Sequence, residues 1–407
     1  MCPFDKAVRA FLLLAVASVF ISCSENPQTI GGRWVGTWAT SVQLTEPRNL
    51  PPEPGLAGNT LRQVVRPSID GEHIRVRLSN MFGTSPVVVE TAHIAVSAGN
   101  GSIDASTDRA LTFSGENGLT IPAGEDRYSD PLAFPLASRQ DVAITVRFGE
   151  MSNEIITGHP GSRTTSFIVE GDAVTAPEMG EAARTDHWYI ITEIDVIDDD
   201  GLAVITLGDS ITDGRGSGTN EQNRWPDVLA ERLLANPGTE EIAVLNAGIG
   251  GNCVLRPCLG PAAEDRFERD VLNQDGARWL IILEGVNDIG GSQPDDSVDV
   301  AQGLIEGFGR LIERAHARDI KVYGATIMPF GGSFYDSSGH EAARQTVNEW
   351  IRTSGAFDAV VDLDAALRDP DNPNRLLPAA DDGDGLHPSK AGHRMMAEAV
   401  DLSLFSN

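Results

Sequence analysis

Basic side chains are scarce in this 407-residue chain: 31 lysines and arginines face 59 aspartates and glutamates, a net charge of −28. Such a surface repels phosphate backbones and anionic lipid headgroups, which excludes nucleic acid as a natural partner. Cysteine is equally sparse, with four in all. No second close cysteine pair or neighbouring histidine cluster accompanies Cys253 and Cys258, so the pattern of a zinc site is missing. No glycine-rich loop ending in lysine is present to cradle a phosphate. Gly-x-Ser-x-Gly is absent too, which argues against the sharp nucleophile elbow of the α/β-hydrolases. Internal repeats and low-complexity blocks are lacking. The one strongly apolar run, Ala10 to Ile21, is twelve residues long, too short to span a bilayer.

What that run does suggest is export. Lys6 and Arg9 precede it and Ser22-Cys23 closes it, the layout of a secretory signal. A small residue directly before cysteine after such a run resembles a bacterial lipobox, with Phe20 where leucine is usual. This implies a lipidated Cys23, residues 1–23 removed or modified as a signal, and residues 24–33 as a polar tether holding the protein at the membrane, facing periplasm or cell surface. Two or more acyl chains suffice for stable anchoring. In an exported chain Cys253 and Cys258, with four residues between them, are expected to pair.

At this length two domains are expected. Residues 34–197 read as β-rich. Ile74, Val76 and Leu78 alternate with His73, Arg75 and Arg77, and Val142, Ile144, Val146 and Phe148 repeat the period of two, with turn clusters between runs. Many short strands without a helical pattern predict a β-sandwich or jelly-roll-like domain. Trp34, Trp38 and Trp188 fall in these strands and read as core rather than as exposed sugar platforms. The acidic turn Asp198-Asp199-Asp200-Gly201 marks a boundary. Across residues 198–407 apolar runs alternate with amphipathic segments, predicting strands at 203–207, 242–246, 279–283, 321–326 and 359–363 and a helix over 300–318 with Leu304, Ile305, Phe308, Leu311, Ile312 and Ala315 on one face. This is the pattern of an α/β fold with a parallel sheet covered on both sides. Ligands of such sheets bind beyond the carboxyl ends of the strands. Ser210, Gly251 and Asn287 follow the first three strands and should therefore meet at one edge.

Ser210 lies in Leu207-Gly208-Asp209-Ser210-Ile211-Thr212-Asp213-Gly214, and Asp384-Gly385-Leu386-His387-Pro388 stands near the other end. A hydroxyl needs a base to become a nucleophile, and the base needs an orienting acid. Ser210, His387 and Asp384 supply those roles. Taken singly, Ser210 reads as a helix N-cap and His387 as a surface residue before a helix that starts at Pro388. Asp381, Asp382 and Asp384 loosely resemble a calcium loop but lack its twelve-residue ligand pattern. His316 and His340 read as solvated, and His393 as facing solvent or packing on the last helix. The loop 329–339, with Phe330, Phe334 and Tyr335, reads as a buried plug ahead of an aromatic wall.

Four blocks in order carry a family resemblance: Gly208-Asp209-Ser210, the glycine block Asn246 to Asn252, Gly285-Val286-Asn287-Asp288, and Asp384 to His387. Together they resemble the SGNH, or GDSL-type, hydrolases, in particular members with an added N-terminal β-domain, such as arylesterases and acylhydrolases of xylan-degrading systems. The resemblance implies a flavodoxin-like three-layer sandwich, a Ser210–His387–Asp384 triad, and an oxyanion hole made by the backbone N–H groups of Ser210 and Gly251 and the side-chain amide of Asn287. Gly250 is the alternative to Gly251, one register away. It implies a serine carboxylic ester hydrolase that deacylates carbohydrate, aryl or short-chain esters without cofactor or metal. An acyltransferase with the same triad, and a glycan-binding lipoprotein on a non-catalytic scaffold, are the competing classes.

Overall fold

Beyond Gly201 the chain forms a five-stranded parallel sheet. The computed structural model describes residues 31–406; the signal, the lipobox with Cys23 and most of the tether lie outside the described residues. From Gly32 onward the chain clusters as one compact unit. The parallel strands are Leu202–Gly208, Ile242–Gly248, Ala277–Leu283, Lys321–Ala325 and Ala359–Val361. Their spatial order is second, first, third, fourth, fifth, the flavodoxin-like order that reverses direction between the first and third strands. Right-handed crossovers running in opposite directions from the first strand put Trp225–Leu234 on one face and Ser297–His316 on the other. The first three strands are nearly all buried because both faces are covered.

Sequence periodicity located these elements to within a few residues. The longest helix buries Leu304, Phe308, Leu311, Ile312 and Ala315 as expected, with Ile305 half-buried at the margin. The fifth strand stops at Val361, because Asp362 caps a short helix that takes up Leu363.

The residues before Ile197 form antiparallel sheets, the largest with the order Ala183–Thr185, Ser166–Glu170, Asn59–Val65, Val142–Phe148, Val87–Gly99 and Ser102–Ile103. A second is built on Trp34–Ala39, Ile191–Ile197 and Gly71–Ser79. Their alternating apolar residues face inward, and the core they build is continuous with that of the parallel sheet. Trp38 and Trp188 are buried and meet edge to face, so neither offers a platform. Trp34 is half-buried beneath the Arg75 guanidinium.

Two features join the antiparallel sheets to the parallel one. Thr40 bridges to Asn246 in parallel register, prolonging Trp34–Ala39 alongside the second parallel strand. A small sheet of Gln43–Leu44, Thr157–His159 and Trp188–Tyr189 then carries the chain to the carboxyl end of the parallel strands.

Candidate active site

Register explains why distant residues meet. Gly208 pairs with Gly248 on one side and with Leu283 on the other, so the first three parallel strands end level. The loops that follow open on one edge, where a cleft of about 420 Å³ is lined by Ser210, Gly250, Gly251, Asn287 and His387.

Ser210 begins a one-turn helix, Ser210–Asp213, but it is not the cap. The Asp209 carboxylate accepts from the Ile211 N–H at 2.9 Å, which leaves the serine hydroxyl free for another partner. That partner is His387, whose Nε2 lies 2.8 Å from Ser210 Oγ. On the far side of the ring, Nδ1 lies 2.7 Å from Asp384 Oδ2. The other oxygen of Asp384 accepts from the backbone N–H groups of Leu386 and His387, so the aspartate is held by the turn it orients. An acceptor at Nδ1 fixes the tautomer in which Nε2 faces the serine as a base. Burial raises Asp384, but the His387 backbone N–H, the His387 ring and the Leu386 N–H outweigh it and hold the group below the ordinary carboxylate range. Burial lowers His387 below the ordinary imidazole value; Asp384 opposes this, and the charges of Arg215 and Arg163 add to it. Ser210, His387 and Asp384 thus form one chain of hydrogen bonds ending in the cleft.

The Asp-Gly turn before His387 is a knot of backbone contacts. Asp381 accepts from Gly383 and Gly385, which accounts for the resemblance to a calcium loop by turn geometry. The last helix starts at Lys390 behind a Ser389 cap, two residues later than Pro388 suggested, because the serine hydroxyl is the better cap.

Facing the serine, Gly251 adopts a left-handed backbone conformation, φ +70°, which a side chain would strain. Neither the Gly250 nor the Gly251 N–H finds an acceptor among the described residues. Asn287 donates from Nδ2 to Asn252 O at 2.8 Å, and its Oδ1 accepts from the Tyr335 hydroxyl at 3.0 Å. The Asn252 carbonyl, which can only accept, fixes which end of the amide is the donor; the tyrosine adds a second anchor at Oδ1, and one N–H of Nδ2 remains uncommitted. Asp288 accepts from Val254 and Leu255 N–H, tying the asparagine block to the loop after Gly251. Cys253 and Cys258 in that loop are joined by a disulfide.

Behind these loops sits Arg266, completely buried. It donates to Gly208 O, Ala247 O, Asn252 Oδ1, Ser41 Oγ and the carboxylates of Asp270 and Glu284. One guanidinium therefore gathers the ends of the first two strands, the neighbour of Gly251 and the residue after the third strand. The same crowding of acids acts on Asp209, where burial pushes the carboxyl up to about 7.

Several site residues carried no signal in the sequence. His159, from the small antiparallel sheet, is buried and stacks on Trp188. Its Nε2 lies 2.8 Å from Asp213 Oδ1 and its Nδ1 2.8 Å from Ser41 O. Asp213 is three residues after Ser210, so the β-rich part of the chain grips the short helix that Ser210 begins. Its Oδ2 is buried without a partner, and Gly161 passes so near that a Cβ there would stand 1.8 Å from it. Gln43, Arg48, Asn49, Arg163 and His187 also line the cleft; one wall of the site belongs to the antiparallel region.

His340 departs from its expected solvated state, and for His393 the solvent-facing alternative is excluded. His340 is buried, bridging Tyr335 O and Ser292 O, because its helix begins against the aromatic loop. His393 is also fully buried. It accepts from Trp225 N–H and faces Arg215 O, and burial lowers it to about 4. His316 remains at the surface, paired with Asp358. In the aromatic loop only Phe330 is a plug; Phe334 is 73% exposed and, with half-buried Tyr335, forms a wall of the cleft.

Residues 206–395 match the family model of the GDSL-like lipase/acylhydrolase family. This segment is a GDSL-like lipase/acylhydrolase domain. Among solved structures the GDSL-like domain is similar to an acetylxylan esterase from Geobacillus stearothermophilus (24% identity, 49% of this chain and 92% of that one, TM-score 0.38). It is also similar to a candidate lipolytic protein of the G-D-S-L family from Desulfitobacterium hafniense (23%, 49% and 97%, 0.37) and a GDSL-like lipase from Bacteroides thetaiotaomicron (19%, 48% and 84%, 0.35). No curated protein matches the chain.

Proposed function

We propose that the protein is a serine carboxylic ester hydrolase working through an acyl-enzyme. The observation that carries this is the continuous chain from Asp384 through His387 to Ser210 Oγ, opening on a cleft whose far side presents the uncommitted donors of Gly251 and Asn287. Ser210 Oγ attacks the ester carbonyl as its proton passes to His387 Nε2, and the carbonyl oxygen becomes an oxyanion held by the N–H groups of Ser210 and Gly251 and by the Asn287 amide. His387 then protonates the departing alcohol oxygen as the acyl–oxygen bond breaks. Water, deprotonated by the same ring, hydrolyses the acyl-serine and releases the acid. Asp384 fixes the ring and stabilises its charged form.

The cleft lining is mainly polar, with Pro160, Leu259, Phe334 and Leu386 as its apolar members. A long acyl chain needs a continuous apolar groove, so we assign a short acyl group, acetyl first, on a polar alcohol such as a carbohydrate, with aryl esters as surrogates. Export and anchoring through Cys23 belong to the same proposal and rest on the Ala10–Cys23 stretch; the Cys253–Cys258 bond is consistent with an oxidising compartment. Purified protein and Ser210→Ala are to be compared on p-nitrophenyl acetate. The wild type is expected to turn over and the variant to lose at least about a thousandfold in kcat; equal rates in the two would sink the serine mechanism.

A further inference from the structure

The cleft carries a charge pattern at odds with the rest of the protein. In a chain of net charge −28, Arg48, Arg163 and Arg215 all border the catalytic serine. Three other basic residues nearby are spoken for: Arg139 by Glu231, Arg224 by Asp227, Lys390 by Glu221. Among the described residues the three cleft arginines have neither a carboxylate partner nor a side-chain hydrogen bond, and Arg163 Nε is buried without an acceptor. Neither acid lining the cleft pairs with these arginines. Glu46 accepts from Gln43 and Asn49, and Asp213 faces His159.

Arg163 is also held in an unusual backbone shape. Its φ is +49°, a left-handed conformation that costs a non-glycine residue free energy and persists only when its surroundings fix it. Asn220 does so on both sides, donating its N–H to Arg163 O and accepting from Thr165 N–H. The outcome is a fixed backbone that holds Arg163 in the wall of the cleft. Arg163 and Arg215 border a second surface depression as well, shared with Ser389 and Lys390 just beyond His387. Both are near enough for their charges to act on His387.

That side of the site has a defined role in the reaction. His387 passes its proton to the leaving oxygen, so the alcohol departs past His387, while the acyl oxygen points to Gly251 and Asn287. We propose that Arg163 and Arg215 form a subsite for an oxyanionic group, a carboxylate or sulfate, on the alcohol portion of the ester, so that the preferred substrates are acyl esters of an acidic alcohol. This rests on the serine esterase reading above. A guanidinium suits the role because its planar donors match two oxygens at once.

The test compares kcat/KM for 4-acetoxybenzoate with that for its neutral counterpart 4-acetoxybenzamide, each divided by its hydroxide-catalysed rate. The expected wild-type preference for the carboxylate is about tenfold or more, from a hydrogen bond to a charged partner. In the Arg163→Gln/Arg215→Gln double variant that ratio should fall to about one. A wild-type ratio of one, or a ratio unchanged in the double variant, overturns the subsite. Calorimetric titration with the free alcohols, 4-hydroxybenzoate and 4-hydroxybenzamide, decides the same question without turnover. If neither ester is cleaved, the esterase reading falls by itself. The subsite then stands if the protein binds the benzoate over the benzamide and the double variant does not, and it falls if the two bind alike.

Discussion

Tyr335→Phe offers a sharp check on how the oxyanion donor is held. The change removes one oxygen, the donor to Asn287 Oδ1 at 3.0 Å, and leaves the ring against Gly290. Burial, with the charge of Asp209, raises the Tyr335 hydroxyl above its ordinary value, so it is a protonated donor throughout the working range. Without it the amide keeps its bond to Asn252 O, which still sets the donor end, but Oδ1 loses its anchor and the amide plane is held at one point instead of two. A net hydrogen bond of about 0.5–1.5 kcal/mol corresponds to a fall in kcat of roughly 2- to 12-fold. KM should move little, because the oxyanion exists only beyond the ground state. Asn287→Ala removes the donor itself and should cost about 2.7–4 kcal/mol, or 10²- to 10³-fold. The decisive measurement is the double variant, assayed by steady-state kinetics on p-nitrophenyl acetate with thermal unfolding alongside. If Tyr335 acts through Asn287, adding Tyr335→Phe to Asn287→Ala changes nothing further. Losses that multiply, with folding intact, would refute the positioning role.

Three further outcomes follow from the same geometry. His387 must be neutral to act as base, and burial lowers it below the ordinary imidazole value; a pH profile of kcat/KM should stay level through pH 7 and fall only below about 6.5, whereas an acid limb at or above that value contradicts the assignment. Gly161→Ala drives a Cβ to within 1.8 Å of Asp213 Oδ2, and overpacking of about 1–3 kcal/mol should lower Tm by roughly 1–4 °C in a unit this large and reduce kcat; unchanged melting and rate would show that the chain yields there freely. Deleting residues 24–197 removes His159 from Asp213 and Ser41 Oγ from Arg266, and should leave an insoluble or inactive remainder; a soluble fragment with full esterase activity would show that the β-rich region is dispensable.

The α/β layer was readable because its signals are local. A run such as Val204-Ile205-Thr206-Leu207 is apolar on both faces, and level strand ends follow from the parallel order, so the sequence alone puts Ser210, Gly251 and Asn287 on one edge. His387 and Asp384 were readable from their spacing, since one short turn serves both. His159 was not. It lies in a two-sided, Gly-Pro-rich segment, His159-Pro160-Gly161, with no periodicity, and its partner Asp213 looks like an ordinary helix-end acid. His340 and His393 were misjudged for a related reason: a histidine on a helix carries no mark of whether a loop will fold over it. Arg266 is the extreme case, since a buried arginine is rare and only the convergence of several carbonyls on one point makes it affordable.

The grip of His159 on the nucleophile's helix has a consequence for the order of events in the life of the chain. Ser41 and His159 are synthesised long before Ser210, and His387 comes almost last, yet the cleft is complete only when all four stand together. Catalytic competence is therefore the final product of folding rather than a property of any early-formed piece. With the export and esterase activity proposed above, a chain crossing a membrane unfolded would be inert towards esters where it is made and would gain activity only where the segments carrying His159 and His387 come together.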